Sequence, residues 1–191
     1  MKKTILRFSL YVVGLFINAL GRFNSETQTF KLDTNTTSYV MQVNRYGYLM
    51  HHYYGALITD DALEYLNFGS RHSSHFPRVE MENAEIPFFS KSLHRMEYST
   101  GGCGDFRASA LSILRDNGTA DTDIKYVSHK IYAGKPKIEG QPATYASEEE
   151  ATTLEILCID SVSLAEVTLF YTLTLLNVKY QTTVLALVTT T

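Results

Sequence analysis

The run Ala165-Glu166-Val167-Thr168-Leu169-Phe170-Tyr171-Thr172-Leu173 decides the fold class. Ala165, Val167, Leu169, Tyr171 and Leu173 recur at a period of two and form one face, while Glu166, Thr168 and Thr172 punctuate the other. That period fits a strand with one buried side; a helix would repeat at 3.6. Just upstream, Leu154, Ile156 and Cys158 alternate with Glu155, Leu157 and Ile159, giving a second strand. Beyond it, a Thr-rich apolar run from Val178 to Val188 reads as another.

Further from that centre the same period returns. Phe30-Lys31-Leu32 is a short strand before a polar turn at Asp33-Thr34-Asn35-Thr36. In Ser38 to Asn44 one face carries Tyr39, Met41 and Val43; Asn44-Arg45-Tyr46-Gly47 turns the chain, and Tyr48 to Tyr54 returns as the second arm of a hairpin. The long stretch Gly104 to Tyr145 reads as a second hairpin. Its outgoing arm starts at Asp105-Phe106-Arg107 after the Gly101-Gly102-Cys103-Gly104 loop, turns at Asp116-Asn117-Gly118, and returns as Lys125 to Tyr132. Two proline loops follow, Ala133-Gly134-Lys135-Pro136 and Glu139-Gly140-Gln141-Pro142. Asp60 to Leu66 suggests a helical turn capped by Asp60. Residues 67–100 lack a period and read as a long irregular connection, a kind of loop that is usually functional or covered by a partner. Many short strands and few short helices predict an all-β protein, a large β-sandwich, with residues 23–191 as one domain.

Composition supports this reading and narrows the partners. The 191 residues suffice for a single buried core. Tyr (13) and Phe (10) are abundant and Trp is absent, which favours strands and removes the commonest sugar-stacking side chain. A net charge of −3 gives no electrostatic reason to expect nucleic acid or an anionic membrane. Cys103 and Cys158 are too few for a disulfide framework; they read as separate thiols, with a single bridge left open for an exported chain. Met1 to Gly21 has two lysines before an apolar run ending Ala19-Leu20-Gly21, which reads either as a secretory signal or as an added extension. Leu10 to Ile17 is much shorter than the roughly 20 apolar residues a membrane span requires.

Candidate chemistry is thin. His72 and His75, with His94 nearby, are the one histidine cluster, and histidines in an irregular loop more often make local hydrogen bonds than hold a metal. His51-His52 and Ser128-His129 each lie on a strand, where neighbours point to opposite faces, so neither pair works as a chelate or as nucleophile and base. Glu148-Glu149-Glu150 reads as a solvated turn, and Asp105 with Arg107 as an internal pair bracing the glycine loop. No catalytic residue, metal site or cofactor is predicted.

An ordered set of short pieces carries a resemblance. Near the start stand Thr29-Phe30 with Leu32, the run Thr37 to Val43, Gly47-Tyr48-Leu49 and Tyr53-Tyr54-Gly55. In the middle come Glu97-Tyr98-Ser99, Gly104-Asp105-Phe106-Arg107, Tyr126-Val127-Ser128-His129 and Ile131-Tyr132. The set ends with Gly134-Lys135-Pro136, Pro142-Ala143-Thr144-Tyr145, Thr153-Leu154-Glu155-Ile156, Glu166-Val167-Thr168-Leu169 and Tyr171-Thr172. Together, over about residues 23–172, these resemble the N-terminal domain of family 36 glycoside hydrolases, the large microbial α-galactosidases. The resemblance implies a supersandwich-like domain that precedes a catalytic (β/α)8 barrel and helps shape its pocket and oligomer. It also implies retaining hydrolysis of terminal α-galactosides by two aspartates, whose carboxyls such chemistry sets about 5–5.5 Å apart. In that family both aspartates lie on the barrel, the nucleophile in a Lys-Trp-Asp segment, and a barrel takes about 250 residues. The chain by itself is therefore expected to be inactive.

By position, the family's pocket loop falls near Gly69 to Phe76, where Arg71 is the one carry-over as a substrate-binding residue. The implied partners are the barrel, further copies in a homo-oligomer, and galactosides. The implied location is the cytoplasm, or outside the cell if Met1–Gly21 is a signal. Both ends depart from the family pattern: residues 1–22 are extra, and after Thr172 the sequence LTLLNVKYQTTVLALVTTT replaces the expected strand. A self-standing carbohydrate-binding or interaction module, and a gene fragment without selected function, remain alternatives.

Overall fold

The computed structural model describes residues 20–59, 63, 66, 91–92, 94–137, 146–148, 150–174 and 186–189. Two four-stranded antiparallel sheets account for nearly all the regular structure among them. The first holds β1 (Leu20–Asn24), β2 (Thr29–Asp33), β3 (Thr37–Val43) and β4 (Leu49–Ala56) in that order. The second holds β5 (Ile124–Ala133), β6 (Ala151–Asp160), β7 (Glu166–Thr174) and β8 (Ala186–Thr189), again in order. Every connection within a sheet is thus to the next strand, the simplest antiparallel layout.

The period-two faces meet between the sheets. Phe30, Leu32, Met41, Val43 and Leu49 from the first pack with Leu154, Ile156, Cys158, Val167, Leu169, Tyr171 and Leu173 from the second in one buried cluster. The alternation of β7 is realised as read, with Val167, Leu169, Tyr171 and Leu173 all buried. Aromatic contacts cross the interface: Phe30 lies 6.2 Å from Tyr126 and Tyr39 lies 6.0 Å from Tyr171, ring centre to ring centre. A backbone bond from Tyr126 N to Gly47 O, 2.8 Å, ties the β3–β4 turn to the edge of the second sheet.

Two bulges set the local directions. Val40 pairs with Tyr53 and Met41 with His51, so His52 is the extra residue of β4; Tyr126 pairs with Cys158 and Ser128 with Leu157, so Val127 is the extra residue of β5. Leu20, Gly21 and Arg22, which the sequence reading leaves in the 1–22 extension, form the first part of β1 and pair with Asp33, Leu32 and Lys31. Gly21 lies over the opposite sheet, where a Cβ on it would make ordinary contact with Leu32 Cδ2 at 3.4 Å and Ile131 Cγ2 at 3.5 Å.

One expected hairpin is not formed. Ile124–Ala133 is a strand, but residues 106–115 are not, and β5 takes β6 as its partner. The competing interactions are local. Ala110 N bonds Ser99 O at 2.7 Å, and the Asp116-Asn117-Gly118 turn closes on itself through Arg115 N to Thr119 O and Gly118 N to Arg115 O. These commit the outgoing arm to a loop. Of the expected turn at 60–66, Leu63 and Leu66 are described and joined by a 3.0 Å backbone bond; Asp60 lies outside the described residues, as do Met1 to Ala19, residues 67–90, the second proline loop and residues 175–185. No described helix is long and apolar enough to cross a membrane.

Leu154 is fully buried between the sheets. Leu154→Ala is expected to lower unfolding free energy by about 2–5 kcal/mol in urea titration, whereas Val127→Ser, at a half-exposed position, should stay within about 0.5 kcal/mol of wild type. A Leu154→Ala protein as stable as wild type would mean that the core lies elsewhere.

Candidate functional site

Three buried polar clusters organise the loops of this sandwich. The first begins in the glycine loop. Gly101, Gly102, Cys103 and Gly104 all have positive φ (68°, 74°, 46° and 86°), and Asp105 N closes back on Gly102 O at 2.9 Å. A side chain at Gly102 would meet Asp121 Cα at 3.0 Å, so glycine is required by space as well as by backbone. The turn delivers the buried Asp105 carboxylate to Arg107, which donates from Nε and Nη2 at 2.9 Å each, and to Ser99 Oγ at 2.6 Å. Burial alone would raise the Asp105 carboxyl, yet the bonds from Arg107 and Ser99 hold it below its ordinary value. The rest of the guanidinium reaches outward: Nη1 donates to His94 O and Nη2 to Lys91 O, both at 2.8 Å. The Asp105–Arg107 pair does brace a loop, and it clamps the segment by which the long connection re-enters the sandwich.

The second cluster holds the same segment from its other side. Lys91, almost completely buried, is ion-paired to Asp123 and stacks 4.5 Å from the Tyr48 ring centre. Asp123 also accepts from Tyr48 Oη at 3.0 Å and Ser161 Oγ at 2.9 Å. Burial works against the Asp123 charge, and the Lys91, Ser161 and Tyr48 bonds overcome it, leaving its carboxyl below the ordinary range. Asp160 behaves alike: buried, it accepts from Asp123 N at 2.6 Å, Ser163 N at 2.7 Å and Ser163 Oγ at 2.5 Å, and its carboxyl is also held low.

The third cluster lies under Tyr39. Glu97, its side chain 5% exposed, accepts from Tyr39 Oη at 2.6 Å and Tyr171 Oη at 2.9 Å, and meets His51 Nδ1 at 3.0 Å. Burial, followed by the nearby Glu97 charge, raises both phenols far above their usual value, so they remain donors at any ordinary pH.

The sequence-derived candidates sort accordingly. Arg71, with His72 and His75, lies outside the described residues. His51 and His52 serve different partners, the latter bonding Leu66 O at 3.2 Å and Gln42 Oε1 at 3.0 Å. Ser128 is exposed, while His129 packs tilted against Phe23 (4.2 Å) and edge-on to Phe30 (4.9 Å), with Nδ1 2.8 Å from Tyr126 Oη. Burial lowers the His129 pKa. Cys103 is exposed and Cys158 buried, both free; burial pushes the Cys158 thiol up to about 12. No group of three potential metal ligands occurs among the described residues. A cleft of about 500 Å³ is lined by Arg22, Phe23, Glu26 and Lys31, and Asp33 pairs with both of its cations at 3.1 and 3.3 Å. Lys91, Asp123 and Asp160 were not singled out in the sequence, and Glu97 entered only as part of the Glu97-Tyr98-Ser99 piece. Most of their side-chain partners lie 32 to 75 positions away, the local ones being Ser163 for Asp160 and Lys125 for Asp123. An Asp160-x-x-Ser163 spacing at the end of a strand was the one available signal.

Two predictions follow from these clusters. Asp123→Ala leaves the buried Lys91 ammonium without its carboxylate, a change expected to cost about 3–5 kcal/mol in guanidinium unfolding. Because Asp105, Asp123 and Asp160 titrate lower folded than unfolded, their stabilisation is complete above the ordinary carboxylate pKa of about 3.9 and is lost as pH falls through the folded values. Unfolding midpoints measured from pH 6 to pH 2 should therefore fall most steeply below about pH 4. The slope should be shallower in Asp105→Asn, and an unchanged slope would contradict the assignment.

Comparison with known proteins places this architecture. The family profile described as "Glycosyl hydrolase family 36 N-terminal domain" matches residues 47–183. The chain is 40% identical over 156 residues to alpha-galactosidase AgaA of Geobacillus stearothermophilus, covering 78% of this chain and 20% of that protein. It is 36% identical over 150 residues to the bifunctional alpha-galactosidase/sucrose kinase AgaSK of Mediterraneibacter gnavus, covering 78% and 16% respectively. Among solved structures, the family 36 alpha-galactosidase AgaB of Geobacillus stearothermophilus superposes with a TM-score of 0.72 at 38% identity, over 82% of this chain and 21% of that one. The chain thus spans about a fifth of the length of these relatives. With the profile covering residues 47–183 and the fold shared with AgaB at 38% identity, the chain belongs to the N-terminal domain family of family 36 glycoside hydrolases.

Proposed function

We propose that this chain acts as the non-catalytic N-terminal sandwich of an α-galactosidase, an enzyme that removes terminal α-linked galactose in carbohydrate catabolism. The observation that carries the reading is its match, over most of its own length, to one fifth of several proteins named alpha-galactosidases. The state of the buried carboxylates supports it. Retaining glycoside hydrolysis requires one free carboxylate nucleophile and one carboxylic acid, both facing the sugar. Glu97, Asp105, Asp123 and Asp160 are instead turned inward and saturated by internal donors. Their work is to hold loops, and the reaction belongs to a (β/α)8 barrel. In this reading the sandwich packs on the barrel, steadies its pocket and takes part in a homo-oligomer, in the cytoplasm.

The purified chain is expected to release no galactose from an aryl α-galactoside. Co-expressed with an AgaA that lacks its own matched N-terminal part, it should restore hydrolysis. Turnover at enzyme-like rates by the chain alone would overturn the reading. So would failure to restore activity under conditions in which AgaA's own N-terminal part does so.

A further inference from the structure

We propose that Asn117-Gly118 is a self-modifying site, at which the chain converts its own Asn117 amide to aspartate and isoaspartate through a cyclic imide. The site owes nothing to the α-galactosidase reading. Asn117-Gly118 is the one Asn-Gly pair in the sequence, and residues 116–120 are exposed.

The nucleophile is the backbone nitrogen of Gly118. That residue has a φ of 80°, and nothing lies within 4 Å of where a Cβ would stand, so no side chain crowds this face of the peptide. The electrophile, Asn117 Cγ, is held by its oxygen. Thr119 N and Thr119 Oγ1 donate to Asn117 Oδ1 at 3.0 and 2.8 Å, and Arg115 Nη1 donates to the same hydroxyl at 2.7 Å. The guanidinium behind it strengthens the hydroxyl as a donor. Two donors on one carbonyl oxygen draw electrons from Cγ and stabilise the charge that the oxygen gains when Cγ is attacked. One bond opposes the attack, Gly118 N to Arg115 O at 2.8 Å. In an exposed turn water replaces it at small net cost when it opens. Asn24 and Asn44 offer a contrast. Each Oδ1 also accepts two backbone N–H bonds, but Ser25 and Arg45, which follow them, carry side chains.

In the reaction Gly118 N gives its proton to solvent and bonds to Asn117 Cγ, closing the imide. The Cγ–Nδ2 bond breaks, and Nδ2 takes up a solvent proton and leaves as ammonia. Water then opens the ring and is the sole co-reactant. Opening at Cγ leaves ordinary aspartate; opening at the main-chain carbonyl leaves isoaspartate, whose backbone runs through the former side chain. Both products set a carboxylate beside Asp116. Isoaspartate also lengthens the main chain inside the turn closed by Arg115 N and Thr119 O at 2.9 Å. Arg115, which donates to Asp121 O and lies 4.0 Å from Asp160 Oδ2, thereby loses a neighbouring anchor. The modification loosens one loop and leaves the core between the sheets intact.

The test is peptide mass spectrometry of the purified full chain held in warm, mildly alkaline buffer, with isoaspartate labelled by an isoaspartyl methyltransferase. Conversion at Asn117 is expected to run about tenfold faster than at Asn24 or Asn44 in the same sample. Thr119→Val removes the hydroxyl donor and should slow conversion about threefold, a modest loss because water replaces the donor at an exposed site. Thr119→Ser should convert as wild type. Conversion at Asn117 no faster than at Asn24 and Asn44 would overturn the site. Thr119→Val converting at the wild-type rate, with an unchanged circular dichroism spectrum, would overturn the role of the held oxygen. If Thr119→Val alters the spectrum, Thr119→Ala removes the same hydroxyl with less bulk and is read by the same two outcomes.

Discussion

Leu154, Ile156, Val167, Leu169 and Tyr171 leave water only if a second sheet covers them, and everything else in the structure follows from that constraint. A single antiparallel sheet has an apolar face and no means of hiding it. Phe30, Met41 and Val43 on the opposite sheet supply the cover. Because both inner faces repeat every two residues, registers are fixed strand by strand: a slip of one would turn a buried face outward. The two bulges, at His52 and Val127, are the places where this alternation is locally interrupted.

Packing of the sheets leaves the loops to be organised by other means, and buried charge does it. Asp105 with Arg107, and Asp123 with Lys91, hold Lys91 and His94 in place. Such groups are costly to desolvate, so they persist only when fully bonded. That requirement makes each loop's conformation nearly single-valued. It also leaves the Asp105 and Asp123 carboxylates occupied by internal donors.

Much of the fold could be read in the residues. The faces of β3, β6 and β7, the hairpin around Asn44 to Gly47, and the strand at Lys125 to Tyr132 all follow from alternation and turn chemistry. The partner of that last strand did not. Gly104 to Tyr145 has the outline of a hairpin, but Ser99, Arg115 and Thr119 offer its outgoing arm closer bonds, and β6 takes the vacant side of β5. Of the polar residues, Asp105 and Arg107 were legible because their spacing is short. Lys91, Glu97, Asp123 and Tyr48 were not, since no local pattern distinguishes a lysine or aspartate that will be buried from one that will be solvated.

The sequence by itself determined the all-β class, the inward faces and, through an ordered series of short motifs, the family. Those properties are local: period two and turn residues act within a few positions, and motifs are read in line. Only the tertiary structure decided which strands pair, which carboxylates lose their water, and which apolar side chains remain in it. Lys91 and Asp123 are 32 residues apart in the chain. They become an ion pair solely because two sheets close over a common core.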